Sequence, residues 1–188
     1  MVRVASALAF GRRCMSTTRN LRKPRVAVAG ATGAVGIEMR KKLGERGFPM
    51  ESLRVFAHPS EEGTPIEFGG KTLKCESVGA NSFDDVDIAL FSAGGDFSTE
   101  WAPKAAAAGC IVVDNSSVFR MDPNCPLVVP EVNPHAVKTH QNIIANPNCT
   151  TSELAPWNHR RFCAAATFDG LPPLCLTPSP LASLRVQS

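Results

Sequence analysis

Three groups of residues in this sequence could do chemistry. The first is Cys149, in the stretch ANPNCTT. Pro147 and Asn148 form a turn before it, and Thr150 and Thr151 could open a helix after it. A cysteine at a helix N-terminus has its thiolate stabilised by the helix dipole and by free N–H groups, which suits a nucleophile. An arbitrary cysteine is more often a small buried hydrophobe, so the turn is what singles Cys149 out. The second group is Gly30, Gly33 and Gly36, spaced three apart. Glycines in that setting let the backbone turn tightly and approach a pyrophosphate. The third is Arg120, close behind Asn115, Ser116 and Ser117. A guanidinium there could hold a phosphate or carboxylate by two prongs, with hydrogen bonds added from Asn115 and Ser116.

Elements of regular structure must bring these groups together. Val26 to Ala29 is a short apolar run, as in a parallel strand buried on both faces. A helical pattern runs from Ile37 to a stop near Gly47, so the glycines lie between strand and helix. Further strands are expected at Leu53–Ala57, Asp87–Phe91, Ile111–Val113 and Asn142–Ala145. A hairpin is expected around Gly69-Gly70. STEWAPKAAAAG reads as a helix, with Ser98 as N-cap, Pro103 in or near the first turn and Gly109 as the stop. The alternation implies an α/β doubly wound parallel sheet. Ligands of such sheets sit beyond the carboxyl ends of the strands, where Gly33, Ser92, Gly94, Ser116, Arg120 and Cys149 all fall.

The bulk numbers fit one domain with extensions. The chain has 188 residues, 44% apolar and 20% charged. The net charge of +3 is small and does not suggest a nucleic-acid surface. No apolar run approaches the length of a membrane span. The seven cysteines include no C-x-x-C pair, so neither a zinc site nor a disulfide framework is expected. His58, His135, His140 and His159 are the histidines, and none is marked as a base for Cys149. Residues 1–23 carry arginines, serines and threonines, and the first acidic residue is Glu38. That composition reads as an organellar transit peptide, mitochondrial or plastid, with a basic tail as the plainer alternative.

Five stretches in order, GATGAVG, FSAGG, VVDNSSVFRMDP, PLVVPEVNP and ANPNCTT, resemble the aspartate-semialdehyde dehydrogenases. NPNCTT with VPEVN favours that family over the N-acetyl-glutamyl-phosphate reductases. The resemblance runs from about Lys23 to Thr151. It implies an NADPH-dependent reduction of β-aspartyl phosphate to aspartate semialdehyde, a step towards lysine, threonine and methionine. It implies that Cys149 attacks the acyl carbon, that Arg120 binds the phosphate with Asn115 and Ser116 beside it, and that Gly30, Thr32, Gly33, Ala34, Val35, Gly36 and Ser60 bind the cofactor, with Thr32 to Val35 holding the pyrophosphate. Ser92, Ala93, Gly94 and Gly95 would line the nicotinamide side. The family is homo-oligomeric, and its small-molecule substrate is held partly by a second domain.

Two departures accompany the resemblance. The family's loop after the second strand carries an arginine and a serine for the 2′-phosphate. This chain has Pro59, Ser60, Glu61, Glu62 and Gly63, so a weakened NADP preference is expected, with NAD as an alternative. From residue 152 the match ends. The segment 152–188 holds five prolines and no sustained period, and reads as a divergent, disordered tail, like translation through a wrong frame or an intron. The catalytic and dimer-forming domain, with its histidine base, is expected to be missing, and turnover by this chain alone to be negligible. A non-catalytic dinucleotide-binding module is the alternative reading.

Overall fold

The computed structural model describes residues 22–156 of the chain. The expected leader lies almost wholly outside these residues, as do His159 and most of the expected tail.

Five parallel strands form one sheet: β1 (Arg25–Ala29), β2 (Ser52–Phe56), β5 (Ile88–Phe91), β6 (Ile111–Asp114) and β7 (Ile143–Ala145). Their order across the sheet is β2-β1-β5-β6-β7. β3 (Pro65–Phe68) and β4 (Lys71–Lys74) make the expected antiparallel hairpin around Gly69-Gly70. At the far edge Phe56 pairs in parallel with Glu76, and at the other Leu127 pairs with Ala145, so both edge strands are partly covered.

The two-residue period of β1 decides which helix covers which face. Val26 and Val28 point to one side and join Leu53 and Val55, with Met39 and Leu43 of α1 (Ala34–Glu45) packed against them. Ala27 and Ala29 point to the other and join Ala89, Phe91 and Val112, covered by Ala102 and Ala105 of α2 (Gly95–Ala107). Helices therefore cover opposite faces, which is the doubly wound arrangement read from the sequence. Small residues on the α2 side leave room for Phe56, Phe83 and Phe91, whose rings pack at centroid separations of 5.4 and 5.6 Å.

One expectation about α2 is corrected. The helix begins at Gly95, not beyond Ser98, because Gly94 takes φ 97° and turns the chain directly from β5 into the helix. Ser98 is then inside the helix and fully buried, and Pro103 stands in the interior rather than the first turn. The stops stand as expected: Gly47 at φ 55° follows α1, and Gly109 at φ 90° follows α2.

Candidate functional site

The carboxyl edge of the sheet ends in a row of first loop residues joined across the strands. Gly30 and Ala31 donate their N–H groups to the Phe56 carbonyl at 2.9 and 3.0 Å. Ser92 N–H donates to Ala29 at 3.0 Å, Asn115 N–H to Phe91 at 2.9 Å, and Asn146 N–H to Asp114 at 2.8 Å. Gly30, Ser92, Asn115 and Asn146 thus stand side by side one position past their strands. The strand order reverses between β1 and β5, so the crevice for a ligand opens where Gly30 meets Ser92.

Two of the three glycines are required by close approach. A Cβ on Gly30 would lie 2.4 Å from the Ser92 carbonyl oxygen, and Gly30 also sits at φ 79°. A Cβ on Gly36 would lie 2.0 Å from the Gly30 carbonyl oxygen, so α1 seats directly on the turn. Gly33 is the N-cap of α1 and supplies no side-chain cap. Ile37 N–H bonds the Gly33 carbonyl at 2.9 Å, and the N–H groups of Ala34, Val35 and Gly36 before it have no acceptor among the described residues. A helix N-terminus with free donors beneath a glycine turn fits a pyrophosphate. The exposed Gly33, Ala34 and Val35 leave it open to solvent. Thr32 is turned aside: its hydroxyl donates to Glu61 Oε2 at 2.8 Å. Ser60 hydrogen-bonds His58 Nδ1 at 2.8 Å and is exposed.

The expected phosphate group of residues is assembled, but partly committed to the protein. Arg120 Nε donates to the Asn146 carbonyl at 3.0 Å and an Nη donates to the Asn115 carbonyl at 2.9 Å, so the guanidinium ties the ends of β6 and β7 together. Nη1 remains without a bond among the described residues. Asn146 Nδ2 donates to Asn115 Oδ1 at 2.8 Å, which leaves the Asn115 amide nitrogen as its free donor. The Ser116 hydroxyl donates to the Asp114 carboxylate. A two-pronged Arg120 clamp with Ser116 as a free donor is therefore not what the geometry presents. The reason is that Arg120 sits beside two backbone carbonyls at the ends of parallel strands, and Ser116 beside the buried Asp114 carboxylate.

Asp114 escaped the sequence reading. It is fully buried, with Ser98 donating to Oδ1 at 2.6 Å and Ser116 bonding Oδ2. The bonds hold the second turn of α2 against the loop after β6. The signal was present: Asp114 shares the β6 face of buried Val112, two residues on. Asn146 was likewise unmarked, although it occupies in ANPNC the place that Asn115 occupies in DNSS.

Cys149 is the first residue of a helix over 149–156. Asn148 caps it: Asn148 Oδ1 accepts from Thr150 N–H at 3.0 Å, and the Asn148 carbonyl accepts from Ser152 N–H at 2.9 Å. Of the four cysteines among the described residues, Cys149 alone is exposed. Burial pushes the Cys75 and Cys125 thiols up, and the Cys110 thiol up to about 12. Cys149 Sγ lies 3.7 Å from Asn148 Oδ1, and no histidine or carboxylate bonds it among the described residues. His58 and His140 accept backbone N–H groups in turns, as turn residues do. An open pocket of about 280 Å³ between α1 and the hairpin, lined by Ile37, Arg40 and Phe68 among others, lies apart from these residues.

A doubly wound sheet, a glycine turn under a helix N-terminus and a crevice at the reversal of strand order together define a dinucleotide-binding domain of the Rossmann type. Residues 25–140 match the model of the semialdehyde dehydrogenase NAD binding domain. The chain belongs to that semialdehyde dehydrogenase family. It is 51% identical over 127 residues to the aspartate-semialdehyde dehydrogenase of Synechocystis sp., covering 68% of this chain and 38% of the relative. The crystal structure of aspartate semialdehyde dehydrogenase II from Vibrio cholerae complexed with ASA superimposes with a TM-score of 0.68 at 50% identity, over 70% of this chain and 44% of that one. The Candida albicans enzyme solved with NADP superimposes with a TM-score of 0.66 over 74% of this chain and 47% of that one; at 21% identity it speaks to the fold alone. The chain spans about two-fifths of the length of the curated relatives it matches.

Proposed function

We propose that this chain is the dinucleotide-binding, nucleophile-bearing part of an aspartate-semialdehyde dehydrogenase, acting on β-aspartyl phosphate in the formation of lysine, threonine and methionine. The observation that carries the reading is Cys149 at the first position of an Asn-capped helix, three residues past Asn146 in the row that also holds Gly30 and Ser92. In the reductive direction the Cys149 sulfur bonds to the acyl carbon, the carbon–oxygen bond to phosphate breaks, and inorganic phosphate leaves with that electron pair. A bound nicotinamide would supply the hydride that releases the semialdehyde from the thioester. The N–H groups of Ala34, Val35 and Gly36 would hold the pyrophosphate, and the Ser92–Gly95 loop the nicotinamide end. The Asn115 amide and the remaining Arg120 nitrogen would meet the leaving phosphate, with Asn146 bonded to both residues. The dinucleotide is NADP or NAD. The proposal includes organellar import, to mitochondrion or plastid, directed by the Arg-rich residues 1–23, with no nucleic-acid or membrane partner; homo-oligomer formation, a property of the family, is not proposed for the matched part alone.

We infer in addition that turnover by these residues is limited. Cys149 has no base bonded to it among the described residues, and a missing general base typically lowers the rate by about 10²–10⁴-fold. The 188 residues alone are therefore proposed to bind dinucleotide and turn over negligibly. Two assays test this. In the first, residues 24–188 are assayed for phosphate-dependent oxidation of aspartate semialdehyde. A rate within about tenfold of a full-length relative, lost in Cys149→Ser, would contradict the limit. In the second, residues 24–151 replace the equivalent part of a relative. Activity of that hybrid that depends on Cys149 supports the function, and a folded but inactive hybrid overturns it.

A further inference from the structure

The loop after β2 brings a carboxylate onto the glycine turn. Glu61 ends the 3-10 turn Pro59–Glu61, and its Oε2 accepts the Thr32 hydroxyl at 2.8 Å. The turn is itself fixed, with His58 Nδ1 accepting Ser60 N–H at 3.3 Å. Beneath it, the Phe56 carbonyl takes both the Gly30 and the Ala31 N–H groups. So the loop after β2 and the loop after β1 are bonded to each other, and half-buried Glu61 is one of the links.

The chemistry follows from that position. With a pyrophosphate on the N-terminus of α1, the adenosine ribose lies towards the end of β2. Glu61 Oε1 has no donor among the described residues and can accept ribose hydroxyls. Ser60 is engaged with His58, and the Glu62 carboxylate accepts the Ser77 hydroxyl at 2.7 Å. Arg40 of α1 reaches this turn, its Nε donating to the Ala31 carbonyl at 3.2 Å, and no ion pair joins it to Glu61 among the described residues. A 2′-hydroxyl would donate to Glu61. A 2′-phosphate would bring its own negative charge against that carboxylate and against Glu62 next to it.

We propose that Glu61 receives the adenosine-ribose hydroxyls and makes this chain select NAD over NADP. The inference rests on the dinucleotide reading above. The full 188-residue chain is titrated calorimetrically with NAD and with NADP, as wild type, Glu61→Ser and Glu61→Gln. A charged hydrogen bond gained and a repulsion avoided correspond to NAD binding at least about tenfold tighter in the wild type. Both variants should narrow that ratio by about tenfold, with NADP binding strengthened. Glu61→Gln keeps the size of the side chain, so it separates charge from folding. NADP bound as tightly as NAD by the wild type overturns the proposal and leaves the dinucleotide site standing. An NAD preference that neither variant changes overturns the role of Glu61. Failure of either nucleotide to bind any of the three proteins overturns this proposal and the dinucleotide reading together.

Discussion

The guanidinium of Arg120 donates from Nε to the carbonyl of Asn146 at 3.0 Å, three residues before Cys149. A second bond, to the Asn115 carbonyl, makes Arg120 a bridge between the loops after β6 and β7. Its substitution should therefore act on stability as well as on any anion. Each bond contributes about 0.5–1.5 kcal/mol, so Arg120→Ala should destabilise by about 1–3 kcal/mol in urea unfolding. Arg120→Lys cannot span both carbonyls and should recover less than half of that. An unchanged midpoint in Arg120→Ala would show that the bridge carries no stability.

The glycines of the turn should separate by geometry. Gly36→Ala forces a Cβ to 2.0 Å from a backbone oxygen, and should cost about 1–3 kcal/mol or more together with dinucleotide binding. Gly33→Ala meets nothing closer than 3.4 Å and should stay within about 1 kcal/mol of wild type. Thermal unfolding of the two variants checks the order, and equal stabilities would contradict the close packing of α1 on the turn.

Much of this arrangement was legible in the sequence, and the failures have separate physical causes. The strands were found because Val26–Ala29, Ile88–Phe91 and Ile143–Ala145 are short apolar runs bounded by polar turns. The glycine turn was found because its spacing and flanks match one physical need. Ser98 was misread because a serine before a helical run resembles an N-cap. What displaced it was Gly94, whose positive φ starts the helix four residues sooner. The Ser116–Asp114 bond spans two residues, but the commitment of Arg120 to two carbonyls depends on which strand ends become neighbours. Local sequence does not carry that pairing.

Cysteine reactivity should follow exposure. Cys149 is exposed, while Cys75, Cys110 and Cys125 are buried with raised thiols. Iodoacetamide near neutral pH should therefore label Cys149 first among these four, as read by peptide mass mapping. Labelling of Cys110 in the native protein at a rate matching Cys149 would contradict the packing of the α2 face.

Alkaline stability should carry the mark of Cys110. Burial, with Asp87 adding to it, pushes its thiol up to about 12, while an unfolded cysteine titrates near about 8.5. Between these values the folded state keeps a proton that the unfolded state has lost. Stability from this group is thus fully present at lower pH and falls as pH rises, by up to about 1.4 kcal/mol per pH unit. Cys110→Ala should flatten the fall measured by urea unfolding between about pH 9 and 11. An identical slope in the variant would remove Cys110 as its source.

Dinucleotide binding at the glycine turn can be observed directly. The amide resonances of the isotopically labelled 188-residue chain can be followed by NMR as NAD is added. Saturable shifts should concentrate at Ala34, Val35 and Gly36, whose N–H groups are free, and at Ser92–Gly95 across the crevice. Shifts that saturate elsewhere and leave the turn untouched, or no saturable shift at all, would contradict it.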